Sequence, residues 1–158
     1  MEEFDRSRWS AENCSVKAAL GIVGDRWTMQ VLREAYYGAR RFEQFHAGVG
    51  CARTVLTDRL NTLVDHDLMY REPYREPHAR QRHEYRLTRA GMELFPAMIA
   101  LMQWGDRWLA GADGPPVEVI HQGCGAGVRA ELVCSDGHRE LTPQRVGPRL
   151  GPGARPGR

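Results

Sequence analysis

Apolar residues recur at helical spacing through the first third of the chain. Val16, Ala19, Leu20 and Val23 fall three or four apart, which predicts a first helix over residues 14–23. Gly24 stops it, and Asp25 is placed to cap a second helix carrying Trp27, Met29, Val31, Leu32 and Ala35. Gly38 ends that helix, and Arg40 and Arg41 introduce a short third one over residues 42–46. Gly48 and Gly50 give the backbone freedom for a tight turn before a fourth helix, from about residue 52 to 65. On its wheel Leu56, Leu60, Leu63 and the aliphatic stem of Arg59 share one side. Thr54, Asp58 and Asn61 lie opposite, flanked by Arg53 and Thr57.

The period then changes from helical to alternating. Residues 68–73 read as one strand and 82–87 as its partner, with Tyr85 and Leu87 inward and Arg82, Glu84 and Arg86 outward. Pro73 and Pro77 limit pairing at the hairpin tip. Thr88 suits the N-cap of a long last helix, residues 89–110, which Pro96 should bend or open. That helix is apolar around more than half its circumference, from Leu94 and Phe95 through Leu101 and Trp104 to Trp108. A helix covering a small core needs one stripe of about 100°. The second stripe points to a subunit interface.

These elements define a mainly α fold with a small β wing: a winged helix-turn-helix, plus a small C-terminal β-hairpin-like appendage. The expected divisions are a flexible N-terminal tail (1–13), a DNA-binding and dimerisation domain (14–112), the appendage (113–145) and a disordered Gly/Pro-rich tail (146–158). Within the appendage, residues 117–121 and 131–134 alternate like two short strands around a Gly-rich turn.

Composition refines this picture in two places. The net charge of the 158 residues is only +2, so gross electrostatics announce no nucleic-acid partner. Between residues 71 and 89, however, six arginines face three glutamates, concentrating positive charge on the predicted hairpin. Lys17 is the only lysine, and arginine suits bidentate phosphate and guanine contacts. The longest apolar run, residues 94–104, contains Pro96 and Gln103 and is too short to cross a bilayer. With an acidic, polar N-terminus, a soluble cytoplasmic protein is expected. In that setting Cys14, Cys51, Cys124 and Cys134 argue against a disulfide framework.

The run from Cys14 to Thr28, with Trp27 in it, resembles the opening of HxlR-type transcriptional regulators. Leu32-Arg-Glu, Gly38, Arg41-Phe42, Leu56-Thr-Asp-Arg-Leu60, Leu63, Leu68, Tyr85-Arg-Leu-Thr-Arg-Ala-Gly91 and Trp104-Gly105 continue the resemblance in order. It covers roughly residues 14–110. The motifs are short, but their joint order is specific. The resemblance implies a homodimeric winged helix joined through its first and last helices. It also implies binding to a near-palindromic operator through the fourth helix and the wing, transcriptional control, and in some members electrophile or oxidant sensing through the thiol matching Cys14.

On this reading the fourth helix enters the major groove with Arg53 contacting guanine, and Thr54, Thr57 and Asn61 touching bases or phosphates. Arg75, Arg80 and Arg82 serve the wing, and Arg41 clamps the backbone near the turn. Two such helices in a twofold dimer should sit about 34–36 Å apart. Repression is the expected outcome, with double-stranded operator DNA as partner. Cys14, just before a helix, is the candidate redox sensor, against a simple packing role at the dimer contact. Cys51 reads as inert packing. His121, Cys124, Cys134 and His138 have the spacing of two two-ligand knuckles for tetrahedral zinc, but an ordinary hairpin is the preferred reading and no cofactor is expected. The six histidines form no nucleophile–base set and no phosphate-binding glycine loop is present, so an enzyme is not expected. The alternative is a winged-helix interaction module without specific DNA binding, in keeping with the low net charge and Asp58.

Overall fold

The computed structural model describes residues 5, 10–75 and 80–157. Helices α1 (Ser15–Val23), α2 (Arg26–Tyr36), α3 (Phe42–Val49) and α4 (Arg53–Asp65) precede an antiparallel pair, β1 (Met69–Tyr74) and β2 (Arg82–Leu87). Helices α5 (Arg89–Glu93) and α6 (Phe95–Trp108) follow. The chain divides into two compact units, residues 19–98 and residues 1–18 with 99–158.

In the first unit the apolar stripes converge. Val31, Leu32 and Ala35 of α2, Phe45 and Val49 of α3, and Leu56, Leu60 and Leu63 of α4 form one buried cluster with Cys51, Leu68 and Met69. Cys51 is thus a packing residue. The caps are those the sequence offers: the Asp25 carboxylate accepts from the Trp27 and Thr28 amides at 3.0 and 3.2 Å, and the Thr88 hydroxyl from the Gly91 amide at 3.1 Å. Helix α3 runs three residues beyond the predicted 42–46, through Gly48, to Gly50, whose φ of +70° ends it in the left-handed region. Only Gly50 therefore provides the turn. Ala52, the N-cap of α4, makes no side-chain cap bond.

The wing register pairs Met69 with Leu87 and Tyr74 with Arg82. Arg41 adds an isolated bridge to Glu84, and the Tyr85 amide donates to the Arg40 carbonyl at 2.7 Å. The segment before α3 is thereby tied to the hairpin. The last helix is interrupted at Leu94, separating α5 from α6. Pro96 has no N–H to donate back to Met92, which accounts for the opening.

In the second unit the two short strands expected at 117–121 and 131–134 do not form. An antiparallel bridge, Ile120 to Gly127, makes a hairpin-like turn there instead. Glycines at 123, 125 and 127 lower the gain from extended pairing there. The Gln103 side chain of α6 holds this segment, donating to the Val128 carbonyl at 2.8 Å and accepting from the Ala130 amide at 2.9 Å. The Ser10 amide donates to the Arg155 carbonyl and the Asn13 side chain to the Gly153 carbonyl, joining the two ends of the chain within this unit.

Candidate nucleic-acid interface

The residues picked out on the fourth helix lie where an outward face requires them. Arg53, Thr54, Thr57 and Asp58 are exposed, while Leu56, Leu60 and Leu63 beneath them are wholly buried. Alternation of these two sets along one helix makes a rigid support for a polar surface. Arg59, expected inward through its stem, is half-buried, with Nε 3.8 Å from the Asp25 carboxylate.

An open cleft of about 670 Å³ lies between the start of α3, the start of α4 and the wing. Arg41, Arg53 and Arg82 line it, with Phe42, Tyr74 and Tyr85 as aromatic walls and Glu43 as the acidic member. A shallower hollow continues along α4 past Arg53, Thr54, Thr57 and Asp58. Three guanidinium groups beside aromatic rings suit a phosphate backbone.

Two of these cations, Arg53 and Arg41, are already held. Arg53 donates from Nη1 and Nη2 to the Glu43 carboxylate at 2.9 and 2.6 Å, and its guanidinium lies 4.7 Å from the centre of the Phe42 ring. The guanidinium beside Glu43 keeps that carboxyl below its ordinary value, and Glu43 in turn raises the arginine. Arg41 reaches Glu84 at 3.4 Å and sits 4.4 Å over Tyr74. Glu84, expected outward with its strand neighbours, is instead sheltered, because Arg86 also holds it at 3.1 Å. Asn61 is half-buried, and its Oδ1 accepts from Arg71, leaving the amide N–H groups as its donors. The Thr57 hydroxyl donates to the Arg53 carbonyl at 2.9 Å, so it meets a ligand first as an acceptor.

Arg75 follows β1 and Arg80 precedes β2, both exposed at the hairpin end. Neither lines the cleft, whereas Arg82 does. Sequence reasoning assigned no contact role to Phe42, Glu43, Tyr74 or Arg71. Glu43 and Arg53 stand ten residues apart across a turn, a spacing to which no helical or strand period draws attention.

Cys14 is exposed, and its carbonyl accepts from the Ala18 amide at 3.0 Å, which makes it the cap position of α1. His121 Nδ1 lies 3.2 Å from Cys124 Sγ, and Cys134 Sγ lies 3.2 Å from His138 Nδ1. Among the described residues no group of three or more such side chains comes together to hold a metal ion. The two knuckles close individually but do not assemble the four-ligand set. No helix of the described residues is long and apolar enough to cross a membrane.

The chain as a whole is similar to known proteins. The family described as HxlR-like helix-turn-helix matches residues 22–113. The HTH-type transcriptional regulator Rv3095 of Mycobacterium tuberculosis (strain ATCC 25618 / H37Rv), itself uncharacterised, is 45% identical over 142 residues, covering 90% of this chain and 89% of its own. The crystal structure of PA1607, described as a presumed transcription factor, superposes with a TM-score of 0.77 at 32% identity, over 89% of this chain and 96% of that one. The redox regulator HypR in its reduced form gives a TM-score of 0.52 at 26% identity, over 58% of this chain and 90% of its own.

Proposed function

Because the chain belongs to the HxlR-like helix-turn-helix family, whose members are transcription regulators and not enzymes, we propose that it is a homodimeric repressor that binds duplex DNA sequence-specifically. The observation that carries this reading is the shared cleft: Arg53 at the exposed start of α4 faces the same open space as Arg41 and Arg82. A helix start and a wing on one surface suit a major groove and its flanking backbone. Arg53, Thr54, Thr57 and Asn61 then meet bases or the nearest phosphates. Arg41 and Arg82 take phosphates, and Arg75 and Arg80 extend the contact from the wing end. Asp58 disfavours phosphate and either accepts from cytosine or turns a neighbouring arginine.

The dimer is supported by apolar surface that a monomer would not leave open. Val16 and Leu20 of α1 are 66% and 59% exposed, and Trp104 and Trp108 of α6 are 55% and 66% exposed. Pairing two copies through these helices removes that surface from water. A redox input through Cys14 is a second reading, favoured by the exposure of that thiol at a helix start and by the likeness to HypR.

The test is fluorescence anisotropy with the full-length chain on duplex from the region upstream of its own gene and on a scrambled duplex of equal composition. Tighter binding to the first, with an affinity whose log–log slope against salt is about −0.9 per phosphate neutralised, supports the proposal. Equal weak binding to both duplexes across the salt range favours an interaction module instead.

A further inference from the structure

Arg53 is met by two residues of α3 that a search for DNA contacts does not select, and their geometry goes further than the cleft alone. A guanidinium offers two edges that each present a parallel pair of N–H donors. The Glu43 carboxylate takes the Nη1–Nη2 edge at 2.9 and 2.6 Å, and the Phe42 ring covers one face at 4.7 Å. The edge containing Nε is left, and that edge matches guanine O6 and N7.

The pair is poorly suited to holding the fold together. The Arg53 and Glu43 side chains are 57% and 67% exposed, and ion pairs so open to water add little to folding. Its consequence is orientation. A free arginine at this position must give up rotamer freedom when it docks, whereas one fixed at an edge and a face has given it up already. A lone carboxylate beside DNA also repels every sequence alike. Glu43 therefore acts in opposite directions on the two kinds of complex: it favours the base-reading one through Arg53 and opposes loose contact with backbone.

We propose that Glu43 is a positioning residue for base reading, whose carboxylate, with the Phe42 ring, holds the Arg53 guanidinium so that its Nε edge reads guanine. This deepens the proposed function and rests on Arg53 being a reading residue.

The experiment uses the full-length chain and two probes: a duplex enriched by the wild-type protein from a random pool, and a scrambled duplex of equal composition. Binding is measured for wild type, Glu43→Gln, Arg53→Ala and the double variant, and base preference is scanned position by position. Glutamine keeps the size but cannot accept two parallel N–H bonds. Glu43→Gln is expected to lower the enriched-to-scrambled affinity ratio roughly tenfold, the size of one base contact, with preference flattened at a single guanine. In the Arg53→Ala background the same change should leave the ratio as it was. An unchanged ratio for Glu43→Gln, or an equal fall in both backgrounds, overturns the inference while leaving Arg53 as a reader. An Arg53→Ala chain with unaltered base preference removes the reading role itself, and this inference with it. Because Glu43 is exposed, an unchanged melting temperature for Glu43→Gln verifies that folding is not the cause.

Discussion

Replacing Gly91 by alanine sets two effects against each other with opposite signs. Gly91 lies inside α5, and alanine in a helix interior is favoured over glycine by about 1 kcal/mol. Sequence reasoning alone therefore expects a more stable protein. The structure expects the reverse, because a Cβ at this position would lie 2.1 Å from the Leu68 carbonyl oxygen and 3.1 Å from Leu87 Cδ2. The first contact is with backbone, so no rotamer change relieves it. The Leu68 oxygen is also fixed, since it accepts from the Thr88 amide at 3.1 Å. Helix α5 would have to lift from the start of the wing, straining the bond from the Tyr36 hydroxyl to the Gly91 carbonyl at 2.7 Å. Overpacking of this kind costs about 1–3 kcal/mol, and an unyielding backbone contact belongs at the upper end. Against the helical gain, a net loss of about 2 kcal/mol remains, a fall in Tm of roughly 10 °C for a domain of this size. Thermal and urea unfolding of Gly91→Ala measures it. A Tm equal to or above wild type would refute the close approach of α5 to the Leu68 backbone just before β1, and with it the way the wing is seated.

Three further changes probe other parts of the fold. Thr28 is wholly buried, and among the described residues its hydroxyl has no hydrogen-bond partner, so Thr28→Val should raise stability by about 1 kcal/mol; a loss in urea unfolding would mean the hydroxyl is satisfied. Burial pushes the Tyr36 hydroxyl up to about 12 from its ordinary 10.0. The folded state holds that proton longer, so this contribution is complete below about pH 10 and is lost as pH rises toward about 12; Tyr36→Phe should flatten the alkaline limb relative to wild type, and identical limbs would count against it. If Cys14 carries a redox input, Cys14→Ser should abolish release of DNA by diamide while leaving reduced binding intact, whereas release retained in the variant excludes that thiol.

What the sequence disclosed and what it did not divide along a physical line. Helices α2 and α4 were legible because their cores repeat every three or four residues, and the caps Asp25 and Thr88 because a cap bond spans only two or three. The wing was legible because alternation is equally local. The length of α3 was misjudged because Gly48 and Gly50 look alike on paper, and only the φ of +70° separates them. The interface shows the same division more sharply. Arg53 could be found from the wheel of one helix, but Glu43, Tyr74 and Glu84 reach their arginines across turns of ten residues or more, where no period applies. This matters for function because each of those acidic partners lowers the net positive charge of the cleft. The modest overall charge that makes the sequence look indifferent to DNA is thus matched locally: Arg53 and Arg41 each come with a carboxylate. A surface built this way gains little from bulk attraction and depends on contacts that fit the guanidinium edges its own carboxylates leave open, as a guanine edge does at Arg53.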